Sequence, residues 1–362
     1  MSVSRVEVAV VGAGICGLSV GYALRGRGVD FRLFESGVPG AGQSAGRTRV
    51  FRHGHDDERL VSLAVRARGE WERFEDELGS RLLGRQGVLI CGPNVAERTA
   101  AFETAGVPAR LVQREGQIDV LPIIAPPEGE ALLDELGGSI DVRAAVDGLT
   151  AALGDRLVTA SVFGVRERPG SGVELRTSEG IWVADHVIVC AGAQVLPLAA
   201  ELGLDIHLEI EVHTRASFRV REPGPPLACL QDRSNVHGET VYAAQMPDGR
   251  EYAIGLGTEH EPPVEEALAR LTAYVERGMP GLDPEPVSVR LCQTSILPWG
   301  ADAFAVWRVG GVQVLAGANL FKFAPLLGEL LAEDSVEELS PDQGLGRVVT
   351  AQAAPATGQS QR

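Results

Sequence analysis

The stretch Val6-Glu7-Val8-Ala9-Val10-Val11, running into Gly12-Ala13-Gly14-Ile15-Cys16-Gly17, decides the fold. Its β-branched and apolar residues suit a strand covered on both faces, as in a parallel sheet. Leu18, Val20, Tyr22, Ala23 and Leu24 then make a helix-length apolar segment that Gly26 and Gly28 stop, and Phe31 to Phe34 form a second apolar run ending in Glu35. Strand, glycine turn, helix, strand and acidic residue follow in the order of a dinucleotide-binding unit. Closely spaced glycines let the backbone turn tightly and approach a pyrophosphate at a helix N-terminus, while the carboxylate meets ribose hydroxyls. Gly12, Ala13, Gly14, Gly17 and Glu35 are therefore expected to hold a dinucleotide, with Ser36 beside them.

Further along, Leu60, Leu63, Ala64, Ala67, Trp71, Phe74 and Leu78 recur at three- and four-residue spacing between Asp56-Asp57 and Gly79, which predicts a long amphipathic helix. Strands are expected at 87–91, 110–113, 157–166, 173–177 and 182–190, and a helix at 141–153. The texture changes over 206–257, where alternating stretches separated by proline and glycine turns predict an antiparallel sheet. A helix at 264–277, strands at 287–292 and 312–315, and a helix at 325–331 complete the reading. The polar, alanine-rich residues 341–362 read as a flexible tail.

Composition narrows the function. The chain has 362 residues, 44% hydrophobic and 23% charged, with 49 acidic against 33 basic residues and a formal charge of -16. Such a surface repels nucleic acid and anionic lipid. Neither a signal peptide nor a membrane span is expected from the run Val6 to Leu24, which holds Glu7 and several glycines. Five widely spaced cysteines with no CxxC pair argue against a disulfide framework and a structural zinc site, and fit a reducing cytoplasm. His53 and His55 are the only close histidine pair and have no third ligand in register. Lys322 is the sole lysine, so a compact ammonium between Phe321 and Phe323 reads as a requirement where a guanidinium would not fit.

The second strand end, Val187-Ile188-Val189-Cys190-Ala191-Gly192, the stretch from Gly46 through Thr48, Arg49 and Arg52, the strand Gly87-Val88-Leu89, and Phe321-Lys322-Phe323 before Gly328-Glu329-Leu330 occur in a consistent order. In these residues the chain resembles the D-amino-acid-oxidase superfamily of FAD-dependent oxidoreductases, in particular the branch containing monomeric sarcosine oxidase and N-methyltryptophan oxidase. The resemblance runs from residue 6 to about 335. It implies an α/β fold in which a discontinuous FAD-binding Rossmann-like domain (1–80, 136–204, 288–340) joins a mainly antiparallel-sheet substrate domain (81–135, 205–287).

It further implies that FAD is held by the residues above together with Ser44, Arg49, Val162, Ala191, Gly192, Gly317, Asn319, Leu320, Phe321 and Lys322. Cys292 falls where that branch forms a thioether to the flavin, so covalent attachment is one expectation and a buried free thiol the other. Arg52 and Lys322 would hold a substrate carboxylate, with Tyr242 on the substrate side. The implied reaction is oxidation of a carbon–nitrogen bond in a small amine or amino-acid-like substrate.

Three positions depart from that branch. Ala253 stands at its oxygen-promoting lysine, and Ala45 and Gly257 replace two histidines, which implies atypical oxygen reactivity in a specialised biosynthetic oxidation. Arg250 is the neighbouring cation in the sequence. Two other readings stay open: a flavin monooxygenase, although Gly317-Ala318-Asn319 lacks the Gly-Asp pair of those enzymes, and a catalytically silent flavin-binding partner.

Overall fold

A computed structural model describes residues 3–168, 170–258, 260–298, 302 and 304–334, and the backbone of 347–350. The opening strand, Val3–Val11, lies at the centre of a nine-stranded sheet, parallel to Phe31–Glu35 on one side and to Gly180–Val189 on the other. Leu157–Thr159 and Val312–Gly317 extend this parallel core outward. Four strands thus end side by side at Val11, Glu35, Val189 and Gly317. Ligands of open parallel sheets bind in the crevice beyond such carboxyl ends.

Helix Ile15–Gly26 is buried from Ile15 to Leu24 because it packs on both the sheet and helix Ala324–Ala332. Gly328 allows that second contact, since a Cβ there would stand 2.6 Å from the Ser19 carbonyl carbon. The long helix, Glu58–Leu78, begins where Asp57 accepts from the Arg59 amide, and turns its Leu60, Ala64, Ala67, Trp71 and Phe74 face into the same core.

The second sheet has eight strands and is antiparallel except where Val88–Cys91 meets Cys229–Asp232. Its largest pairing joins Glu209–Val220 to Leu282–Ile296, and this strand crosses the expected domain boundary at 287. Residues 288–296 therefore lie in the second sheet, because their backbone bonds are made to Glu209–Ser217. Two further expectations need correction. The run 157–166 is two strands, Leu157–Thr159 and Val162–Arg168, in different parts of the first sheet. Within the expected tail, Arg347–Thr350 pairs in parallel with Ala305–Arg308, the strand that supplies its backbone partners at the edge of the first sheet. The remaining residues of that tail lie outside those described.

Candidate functional site

The glycine turn is shaped by close approaches. Gly12 has φ +97°, and a Cβ on it would stand 2.7 Å from the Cys190 carbonyl oxygen; on Gly17 it would stand 1.9 Å from the Gly12 oxygen. Any side chain at Gly17 collides with fixed backbone. The Ala13 amide donates to Glu35 Oε2 at 2.8 Å, and the Ile15 amide to Ser44 Oγ at 2.9 Å. Glu35 also receives the Gly37 amide and the Ser36 hydroxyl on Oε1. Ala191 and Gly192 follow the adjacent strand, next to Gly12. Val162 lies beyond Ala160, whose amide bonds the Glu35 carbonyl. A helix N-terminus whose cap residue, Gly14, brings no side chain, a backbone cradle that a Cβ would fill and an acidic strand end fit a dinucleotide such as FAD.

The segment after Gly317 is the other half of the site. Asn319 takes φ +55° and caps the short turn Leu320–Phe323. Trp71 fixes that turn, since its indole nitrogen donates to the Lys322 carbonyl at 2.8 Å and its ring stacks on Phe321 at 6.3 Å between centroids. Arg49 lies over the Phe321 ring, 5.8 Å from its centre.

Arg52 and Lys322 lie in one cluster with two companions that sequence reasoning missed. Asp302 accepts from Arg52 Nη2 at 3.3 Å and faces His55 Nδ1 at 3.2 Å. His55 Nε2 lies 3.4 Å from Lys322 Nζ. Nδ1 also lies 3.2 Å from Arg52 Nη1, which can only donate; with the proton on Nδ1, toward Asp302, Nε2 is left to accept from the ammonium, and with Nδ1 accepting from Arg52 the proton sits on Nε2. Burial, then the charges of Arg52 and Lys322, pushes the His55 pKa well down, so the ring is neutral. Burial also lowers Lys322 to about 7, against the opposing pull of Asp302. Asp302 itself is held well below the usual carboxylate range by Lys322, His55 and Arg52, which outweigh its desolvation.

His53 does not join this group. Its amide and Nδ1 engage the buried Asp134 at 2.7 and 3.0 Å, a structural arrangement, and the described residues contain no cluster of three or more metal-ligating side chains.

A different set of cations lies on the second sheet. Tyr242 is opposite Gly255, which must lack a side chain because a Cβ would meet the phenol at 2.6 Å; burial raises the Tyr242 pKa. Arg215 is opposite Gly255 from the other side, with its guanidinium 5.4 Å from the Tyr242 ring centre. Cys292, a free thiol on the neighbouring strand, is close enough to affect the titration of both Arg49 and Tyr242.

Ala253 faces a cavity of about 90 Å³ shared with Arg49, Arg215 and Arg290. Arg250, the neighbouring cation in the sequence, is not the one that supplies positive charge to this cavity. Arg250 is exposed and does not line the cavity, whereas Arg215 reaches it from the next strand. The inward side of the alternating run Thr214-Arg215-Ala216-Ser217-Phe218 was the available signal, a charged residue in a buried stretch.

Residues 7–334 match the DAO family, described as FAD dependent oxidoreductases. The chain is 26% identical to the monomeric sarcosine oxidase of Arthrobacter sp. (strain TE1826), over 91% of this chain and 92% of that protein. It is 25% identical to the N-methyl-L-tryptophan oxidase of Yersinia pestis (strain Pestoides F), over 92% and 96%. Among solved structures, NikD, an amino acid oxidase of nikkomycin biosynthesis, superimposes with a TM-score of 0.80 at 21% identity, covering 92% of this chain and 95% of NikD. Glycine oxidase from Geobacillus kaustophilus gives 0.77 at 20% identity, covering 91% and 94%. Among the described residues, no helix is long and apolar enough to cross a membrane.

Proposed function

From the premise that this chain belongs to the DAO family of FAD-dependent oxidoreductases, we propose that it oxidises the carbon–nitrogen bond of an amino-acid-like or cyclic amine bearing a carboxylate. The supporting observation is that Arg52 is paired with the Asp302 carboxylate while Lys322, joined to it through His55, adds its charge to the same carboxylate's surroundings, both cations being largely buried. Two cations arranged around one carboxylate can take another in its place. FAD, when bound, supplies the acceptor for the hydride removed from the carbon next to nitrogen. Arg52 and Lys322 orient the substrate, neutral His55 holds the ammonium, and Trp71 keeps the lysine-bearing turn in position. Orientation of this kind can account for a large part of a rate enhancement.

Gly12, Ala13, Gly14, Gly17, Glu35, Ser36 and Ser44 would hold the adenosine and pyrophosphate portion, with Val162, Ala191 and Gly192 alongside. The turn from Gly317 to Lys322, Arg49 and Cys292 would border the ring system, with Cys292 as the covalent anchor. The departures at Ala45, Ala253 and Gly257 support a specialised, biosynthetic oxidation.

The test is anaerobic mixing of holoprotein with N-methyl and cyclic amino acids and with their decarboxylated counterparts, following loss of visible flavin absorbance. Bleaching only by the carboxylate-bearing members is expected. Bleaching by the decarboxylated amines alone would overturn the reading. Acid precipitation tests the anchor: yellow colour should stay in the pellet and leave it in Cys292→Ser.

A further inference from the structure

We propose that Gln231 accepts the N–H of the substrate amine, and so selects primary and secondary amines, cyclic ones included, over tertiary amines. The assignment rests on the reading of Arg52 and Lys322 as the clamp for the substrate's carboxylate.

Strand register places the residue. Across the second sheet Ile90 is opposite Gln231, Gln231 opposite Tyr242, Tyr242 opposite Gly255 and Gly255 opposite Arg215. Residues in one such row project from the same face. The neighbouring row, Leu89, Leu230, Ala243, Ile254 and Ala216, is buried in the core on the other face. At one end of the row lies the clamp segment, since a Cβ on Gly54 would stand 2.4 Å from Ile90 Cδ1 and the Gly54 carbonyl accepts from Arg52 Nη1. Toward the other end, the Tyr242 ring meets the Arg215 guanidinium. Paired strands lie about 5 Å apart, so Gln231 stands one strand from the residue beneath the clamp and one strand from Tyr242.

Gln231 is only 7% exposed, and its buried Oε1 has no hydrogen-bond partner. Ile90 has no side-chain donor to offer, and the Tyr242 hydroxyl does not donate to it. An acceptor left so has lost its hydration without return, and buried polar groups in native proteins are seldom left unpaired. A donor from a ligand would complete it. In an amino acid the nitrogen is two bonds from the carboxylate carbon, so a substrate seated by its carboxylate at Arg52 brings its N–H to the side of the clamp where Gln231 stands. Acceptance of the N–H leaves the nitrogen lone pair free to form the carbon–nitrogen double bond as hydride leaves for the flavin. A tertiary amine has no N–H and would leave Oε1 unpaired, which is how a site built to hydrogen-bond rejects an analogue.

The probes are pyrrole-2-carboxylate and furan-2-carboxylate, which share a planar five-membered ring and a carboxylate but differ in N–H against ring oxygen. Each is titrated calorimetrically into holoprotein, so that no turnover is needed. The unmodified protein is expected to favour the pyrrole at least tenfold. Gln231→Met should bring that ratio to within threefold by weakening the pyrrole, and Gln231→Leu should do the same should the methionine variant not fold. Arg52→Ala should weaken both acids and leave their ratio unchanged within twofold, which a general loosening of the site by the Gln231 variants would also do. Equal binding of the two acids to the unmodified protein, or a preference that persists without Gln231, would overturn the acceptor while leaving the clamp intact. Failure of both acids to bind, or binding of both unaffected by Arg52→Ala, would overturn the carboxylate reading and the acceptor with it.

Discussion

Two groups of cations border the candidate site, and they are balanced in different ways. Arg52 and Lys322 have an internal counter-ion, Asp302, with His55 bridging between them. Arg49 and Arg215 have backbone carbonyls and aromatic faces, but among the described residues no paired carboxylate. The difference teaches that one group is neutralised by an internal carboxylate, while the other is held by carbonyl dipoles and ring faces. In a low-dielectric setting that distinction governs stability, pH response and ligand preference.

The largest effect is expected at the clamp. Arg52→Ala should weaken a bound carboxylate, such as acetate competing with substrate, by about 2 to 5 kcal/mol, because truncation leaves the partner charge buried without its pair. Competitive inhibition constants measure this. An unchanged constant would mean that carboxylates are held elsewhere, and would break the comparison at its first term.

Removing the internal counter-ion should separate the two groups next. Asp302→Ala leaves Arg52 and Lys322 mutually repelling, and should cost about 2 to 4 kcal/mol of stability, read from the denaturation midpoint. Arg215→Met removes a charge that has no carboxylate partner and should cost less than about 1 kcal/mol, or stabilise. Equal losses in the two variants would mean that an unseen partner already balances Arg215.

The clamp should also titrate. Lys322, lowered to about 7 chiefly by burial, is charged below that pH and neutral above it. Affinity for acetate should thus be highest below pH 7 and decline above it by at most about tenfold per unit, to the level that Arg52 alone supports. Lys322→Met should flatten the profile. The sign for folding is the reverse: between about 7 and 10.5 the unfolded chain binds this proton and the folded one does not, so this group makes stability rise with pH across that window and fall as pH drops toward 7. A flat acetate profile in the unmodified protein would place the lysine away from the ligand.

The glycine turn was legible in the sequence because its strand, turn, helix and acidic residue are close neighbours along the chain, and local backbone demands set the residue types. The long helix was legible from its spacing for the same reason, and its structure places Asp57 and Gly79 at the two ends. The charge balance was not. Asp302 is 250 residues from Arg52, and only the return of the chain between the two sheets brings them together. Arg215 enters the Ala253 cavity through strand pairing, a register that no single stretch reveals. Gly255, too, has a role visible only once Tyr242 is seen lying across it.

The smallest effect is expected at Ala253, where a reading of that one position points to a missing positive charge and hence to slow reaction with air. An acceptor that becomes negatively charged needs a cation nearby in a shielded site. Arg215 and Arg49 already line the cavity onto which Ala253 faces. A lysine added there would meet a strongly positive field and would be pressed toward its neutral form, both by burial and by like charge. Ala253→Lys should therefore change the air reoxidation rate of anaerobically reduced holoprotein by less than about threefold, since a charge that is largely suppressed adds little to the barrier lowering. In an Arg215→Met background the same lysine would keep its proton more readily, and the gain should be larger than in the unmodified protein. A large gain from Ala253→Lys alone, measured by stopped-flow absorbance, would show that the arginines do not serve this cavity and would remove the contrast between the two cation groups.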